Sequence, residues 1–404
     1  MNRNSRRKFL SLAAKGSLVA AAPAPWFFKN AFAADDVIKI GVPTTITGTW
    51  ASIGVQVVRT CKLWERTVNA SGGINGKKVQ ILTADTQGDP ANCLRKVEEM
   101  VNRDKIGFLT GVTVSSEALA VMPKLADWNV VFIASINGAG SITAKDFVPN
   151  TFRSNISSPM GARTVARWLE DSPLKDYFSL GLDYVWGHSS VEAFEKQITA
   201  MGKTPIGHVF APTGTKDYST YITRIRQANP QGLYLALTGN DAIAFFKQAK
   251  QYNLLDKFPS FMETLELSHI KSTGEAIVGL MGSSRYPFTY DNPVNNAFVK
   301  QFQDEYKEYP DTYDGDQWQA LQFLAAALRK AKSEDSAAVI KALEGLELDT
   351  IKGHVTMRAC DHQAVQQGFI VRVTKKSGFP HPVPEILKVY PADSVTPGCR
   401  KDSF

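Results

Sequence analysis

The residues of this 404-residue chain that could do chemistry are mostly small, hydroxylic or aromatic. Ser115 and Ser116 follow Gly111-Val112-Thr113-Val114, where a short apolar run gives way to an amphipathic one. Amides and hydroxyls exposed there suit a ligand carboxylate, because a helix N-terminus carries partial positive charge. Plain capping by Ser would use the same residues. Ser135-Ile136-Asn137-Gly138-Ala139-Gly140 follows the next apolar run in the same way, and small residues there let a ligand approach the backbone. Trp50, in Thr47-Gly48-Thr49-Trp50, and Trp186, in Asp183-Tyr184-Val185-Trp186-Gly187, could clamp an apolar or aromatic group.

Other chemistries find less support. Gly72-Gly73-Ile74-Asn75-Gly76-Lys77-Lys78 lacks the spacing of a phosphate loop and follows a helical stretch instead of opening one. Gly187-His188-Ser189-Ser190-Val191 begins like a nucleophile elbow, which would make Ser189 the nucleophile of a hydrolase, but Val stands where the second Gly is needed. The six His are scattered without paired spacing, so neither a metal site nor a cofactor is expected. Lys216-Asp217-Tyr218-Ser219 and Tyr313-Asp314-Gly315-Asp316 read as helix starts. No enzyme signature emerges.

The elements that would position these residues alternate. Strands are expected at 37–42, 79–82, 106–109 and 130–133, with helices at 54–69, from Pro90, and at 116–127. The rhythm restarts after Asn155: helices 159–170, 189–201, 218–228 and 242–252 alternate with strands 177–182, 205–209, 232–237, 260–262 and 278–283. Helices near 293–307, 317–331 and 336–343 follow, and strand and hairpin material runs on from Ile351. This is the pattern of α/β architecture with parallel sheets covered by helices, here as two doubly wound lobes. The candidate Ser, Gly and Trp positions then fall at carboxyl ends of strands, where open α/β sheets bind ligands.

Charge and cysteines address the compartment. The formal charge is +7, yet six of the 46 cations lie in the first 33 residues, which hold no Asp or Glu; the remaining 40 face 39 anions. The basic balance therefore belongs to the leader, and a nucleic-acid partner is not indicated. Ser5-Arg6-Arg7-Lys8-Phe9-Leu10 resembles a twin-arginine export motif. The uncharged run 16–28 is too short to span a membrane, and Ala31-Phe32-Ala33 predicts cleavage before Ala34. A soluble, exported, periplasmic protein is expected. Export permits disulfides among the four Cys, and the pairing favoured is Cys61–Cys93 with Cys360–Cys399.

Taken together, Ile40-Gly41-Val42-Pro43, Thr47-Gly48, Gly54, Asn69-Ala70-Ser71-Gly72-Gly73-Ile74-Asn75-Gly76, Asp85-Thr86-Gln87-Gly88-Asp89-Pro90, Asp183-Tyr184-Val185-Trp186-Gly187 and Asp217-Tyr218 resemble the periplasmic solute-binding proteins of ABC importers, specifically the branched-chain amino-acid (Leu/Ile/Val) binding family. The resemblance covers nearly all of residues 36–375. It implies two lobes, 34–152 with 287–350 and 153–286 with 351–404, joined by three crossovers and closing on a small ligand. The crossovers would fall near 150–154, 284–287 and 349–353. It implies a monomer that hands its ligand to an inner-membrane ABC permease. In that family Ser115 would receive the ligand carboxylate, and Asn137, Gly138 and Ala139 would line the same place, although the family's following Thr is a Gly here. Trp186 would stand at the mouth of the second lobe, and Glu263, or Thr264 on a one-residue offset, would meet the ligand ammonium. Branched-chain amino acids are the first expectation and an aromatic carboxylic acid or amide the alternative. An exported hydrolase acting at Ser189 and a ligand-sensing module are the readings from other classes.

Overall fold

The computed structural model describes residues 37–399; the leader, its twin-arginine motif and its cleavage site lie outside the described residues. The first sheet contains β1 (Val37–Thr44), β2 (Lys78–Asp85), β3 (Phe108–Thr110), β4 (Val131–Ala134) and β5 (Thr151–Arg153), ordered β2-β1-β3-β4-β5 and parallel throughout. Its strands alternate between two apolar cores. Phe108, Val131 and Ile133 face the core that holds α1 (Ala51–Ala70), whereas Leu109, Phe132 and Ala134 face the core that holds α2 (Pro90–Glu99) and α3 (Ser115–Val121). Period-two alternation with both faces covered is what a doubly wound sheet requires.

The second sheet repeats the plan with β6 (Asp176–Leu182), β7 (Thr204–Ala211), β8 (Gly232–Ala236), β9 (Ser260–Met262) and β10 (Met281–Ser284). α4 (Ser158–Leu169) leads into β6, and between the strands run α5 (Val185–Ala200), α6 (Ser219–Ala228), α7 (Gly239–Gln251), α8 (Leu254–Lys257) and α9 (Leu267–Thr273). The chain then forms α10 (Pro293–Tyr306), α11 (Thr312–Ala331) and α12 (Ser336–Leu343); α11 packs on α1 of the first lobe. A small antiparallel sheet of β11 (Glu347–Thr350), β12 (Gly353–Met357) and β13 (Ala364–Val365) follows. β14 (Gly368–Thr374) and β15 (Val383–Tyr390) then extend the second sheet antiparallel, giving β15-β14-β10-β9-β8-β6-β7, and α13 (Ala392–Val395) closes the described chain. The fold is thus α/β with two lobes, each built on a mainly parallel sheet.

Several expectations need correction. Pro43 does not end β1: the ladder with β3 involves only Ile40 and Gly41, so Pro43 has a single neighbouring strand and its missing N–H is not needed. α5 begins at Val185, so Ser189 lies one turn inside a helix and not at a strand-to-helix elbow. Its buried hydroxyl accepts from Gly140 N (3.0 Å) and meets Ser158 Oγ at 2.8 Å. α11 starts five residues before the expected Gln317, with Asp311 as its cap. Cys360 and Cys399 form the expected disulfide, but Cys61 and Cys93 are free. The sheet itself separates them, Cys61 in the α1 core and Cys93 in the α2 core, and a bridge needs Cα atoms within about 7 Å.

Candidate functional site

The carboxyl ends of the two sheets face one another across a narrow cavity. From the first lobe come Trp50 and Ile53 at the start of α1, Thr113 to Ser115 after β3, and Ile136 and Gly138 after β4. From the second come Tyr184 and Trp186 after β6, Thr238 after β8, and Arg285 directly after β10. Tyr313 of α11 completes the wall. Of the expected positions, Trp50, Ser115, Gly138 and Trp186 line this cavity, while Ser116, Asn137, Ala139 and Glu263 stand outside its lining.

The walls are aromatic. Trp50 and Tyr184 meet across the cleft with ring centroids 5.7 Å apart, and Tyr184 and Trp186 lie 5.9 Å apart. Burial pushes the Tyr184 phenol well up, so it stays protonated. Both indole N–H groups, of Trp50 and Trp186, are buried without a hydrogen-bond partner. An indole is only a donor, so each is a free donor beside the cavity.

One cation serves the cavity. Arg285 is 2% exposed; its Nη1 donates to Ile136 O at 2.8 Å, and its Nε has no partner. Burial opposes the charge, but Glu263, Tyr313 and Asp316 outweigh it and hold the guanidinium charged. Gly138 makes this position possible. A Cβ there would stand 2.5 Å from Arg285 Nη2 and 2.6 Å from Trp186 Cδ1. Arg285 and Thr238 belonged to no motif in the sequence, and Tyr313 was read only as part of a helix start. The usable signal for Arg285 was its place immediately after a strand at the sheet's ligand-binding end.

Two carboxylates lie behind the wall. Glu263 is fully buried; Thr264 Oγ1 donates to its Oε2, and its Oε1, 2.5 Å from where a Gly161 Cβ would sit, has no partner. Burial pushes its pKa up against the pull of Arg285. Glu266 accepts from Thr238 Oγ1 (2.5 Å) and Tyr313 Oη (3.1 Å). Burial works against its charge too, yet His269 and these hydroxyls hold it below the usual carboxylate range. Nearby, Ser115 Oγ accepts from Ala139 N at 3.2 Å, and buried Arg153 donates to Ala139 O, so the loop after β4 is fastened from both sides. Asn137 is buried with its carboxamide unpaired.

Such a site can enclose a small flat solute and meet an anionic end of it; among the described residues lining it, no base is paired with a nucleophile. The comparisons agree with this architecture. Residues 37–378 match the family described as periplasmic binding protein. The Leu/Ile/Val-binding protein homolog 6 of Brucella melitensis is 24% identical over 355 residues, covering 84% of this chain and 88% of its own. A solute-binding protein of an ABC transporter from Rhodopseudomonas palustris BisB5, solved with 3,4-dihydroxybenzoic acid, superposes with a TM-score of 0.83 at 22% identity, over 88% of this chain and 98% of its own. Another from R. palustris, solved with benzoate, gives 0.80 at 22% identity over 88% and 97%. The chain belongs to the periplasmic binding protein family and is a distant homologue of the Leu/Ile/Val-binding proteins.

Proposed function

We propose that this protein captures a small aromatic carboxylate of benzoate size and hands it to an inner-membrane ABC permease, after export through the twin-arginine route. The observation that carries the reading is the charge of the cavity wall, in which, among the described residues, Arg285 is the one charged residue and no carboxylate lines the wall. A buried ammonium without an anion partner is costly, so an amino acid would leave its amine uncompensated, while an amine-free acid would have its carboxylate met by Arg285. Trp50, Tyr184 and Trp186 supply flat faces for a ring, and the two unpaired indole N–H groups suit acceptor atoms on it. The benzoate and 3,4-dihydroxybenzoate held by the two R. palustris proteins are in keeping with this. Ser115 and Gly138 would assist from the first lobe. The lobes, 34–152 with 287–350 and 153–286 with 351–404, would close on the ligand by hinge motion.

A second reading, a branched-chain amino acid, is favoured by the name of the Brucella relative and by Glu263 and Glu266 just behind the wall. Thermal unfolding of the mature protein with benzoate, 4-hydroxybenzoate, 3,4-dihydroxybenzoate, leucine, isoleucine and valine separates the two. A ligand that binds only the folded state raises Tm by mass action. We expect a rise with one or more benzoates and none with the amino acids, and loss of the rise in Arg285→Gln. Stabilisation by leucine, isoleucine or valine alone would replace this reading by the second.

A further inference from the structure

Arg285 already has a buried counter-charge before any ligand arrives. Glu263 attracts it electrostatically, yet no hydrogen bond joins the two: Glu263 Oε1 and Arg285 Nε are both unpartnered. The same patch holds the buried ion pair of Asp316 and Lys352 and the buried carboxylate of Glu266, while Arg153, itself facing Asp361, lies within the field of Arg285. Three carboxylates, Glu263, Glu266 and Asp316, therefore stand around Arg285 and Lys352. A ligand carboxylate docking on Arg285 adds a further negative charge to an enclosed patch. We propose that Glu263 sets the affinity for a carboxylate ligand by taking up a proton from solvent as that ligand binds beside Arg285; this rests on the reading of an amine-free acid given above.

The surroundings of Glu263 favour the step. Arg285 approaches it from the end of β10, and Glu266 from its own loop. Asp316 acts on it from α11, and the neutral phenols of Tyr184 and Tyr234 lie within its field from the second lobe. Arg285 and the hydrogen bond from Thr264 stabilise the charged form, and a ligand would draw on that same guanidinium. α4 presents Gly161 to Glu263 Oε1 and offers it no donor. Burial already lifts Glu263 above the ordinary carboxylate range, and removing its share of Arg285 lifts it further. The balance is simple: the carboxylate gains one proton, supplied by buffer, and becomes a carboxylic acid; no other bond changes. The protonated group keeps Thr264 as a neighbour and leaves the guanidinium to the ligand.

Isothermal titration of the mature protein with benzoate and with 4-hydroxybenzoate at pH 7.5, in phosphate and in Tris, tests this. The two buffers release protons with very different heats, so the difference in binding enthalpy counts protons. Uptake of most of one proton per ligand is expected, with affinity falling up to tenfold per pH unit above neutrality. Glu263→Gln, which mimics the protonated side chain, is expected to bind more tightly at pH 8.5, with no proton uptake. Measurable binding with equal enthalpies in the two buffers from pH 5.5 to 8.5 would overturn the proposal and leave the ligand class standing. No binding heat with either acid would instead remove the ligand class, and the proposal with it. The wild-type measurement decides without any variant having to fold.

Discussion

At the scale of single residues, the structure spends its buried charge in two ways. Arg285 is placed for a ligand, whereas Glu117 is used to hold the backbone. Glu117 is fully buried on α3 and accepts from Val114 N at 2.9 Å, its other oxygen unpaired. Burial pushes its pKa up to about 7, aided by Asp89 and Asp85 and resisted by the hydrogen bond from Val114 N. The folded state thus holds this proton more tightly than the unfolded chain. Its contribution to stability is complete below the ordinary carboxylate range and is lost as pH rises through about 7. The loss approaches about 3 kcal/mol by pH 8. Urea unfolding from pH 5 to 8 should show stability falling in the wild type and a flatter profile in Glu117→Gln. Site legibility follows the same division. Trp50, Ser115, Gly138 and Trp186 were readable because they belong to short strand-end loops with distinctive small or aromatic residues. Arg285, Thr238 and Tyr313 were not, because their role depends on which strand ends face each other, and no local spacing records that.

At the scale of elements, most strands and helices were legible, because apolar runs and amphipathic stretches alternate cleanly. The misses have local causes. β5 has three residues and borrows its pairing from β4, leaving almost no periodic signal. α5 starts early, at Val185, and Trp186 in its first turn faces the cleft. The cysteines show the limit of sequence separation as a guide. Cys61 and Cys93 are as near in the chain as Cys360 and Cys399, yet α1 and α2 lie on opposite faces of the sheet. Burial also pushes both free thiols well up, suppressing the reactive thiolate. A thiol titration with a chromogenic disulfide should therefore count none in the native, oxidised protein and two in denaturant. It should count four only after reduction. Two reactive thiols in the native state would contradict this placement. The chain-entropy estimate for the loop closed by Cys360–Cys399, 39 residues apart, is about 4 kcal/mol.

At the scale of the whole molecule, the two lobes meet at polar points spread from the cavity, where Tyr313 reaches Thr238 and Glu266, out to the rims. Gly140 N donates to Ser189 Oγ at 3.0 Å, and Asn240 Nδ2 donates to Thr49 O at 3.2 Å. The segment where the chain first leaves the first sheet is held differently. Gln319 and Gln366 donate to Ser154 O, and Gln363 donates to Asn155 O, so the carbonyls of this short stretch are fixed by side-chain amides. Arg285 belongs to a second such segment, between β10 and the helices that pack on the first lobe. On the hinge closure proposed above, a group on the axis of a lever travels least as its arms swing, so the guanidinium would keep nearly the same bearing with the jaws apart or shut. On that proposal the acid would dock on its anchor first, and the rims, Asn240 against Thr49, would latch afterwards. Asn240→Ala should then quicken escape of the ligand in stopped-flow tryptophan fluorescence while leaving the rate of capture nearly untouched. A capture rate that falls with it would place the first encounter at the rim.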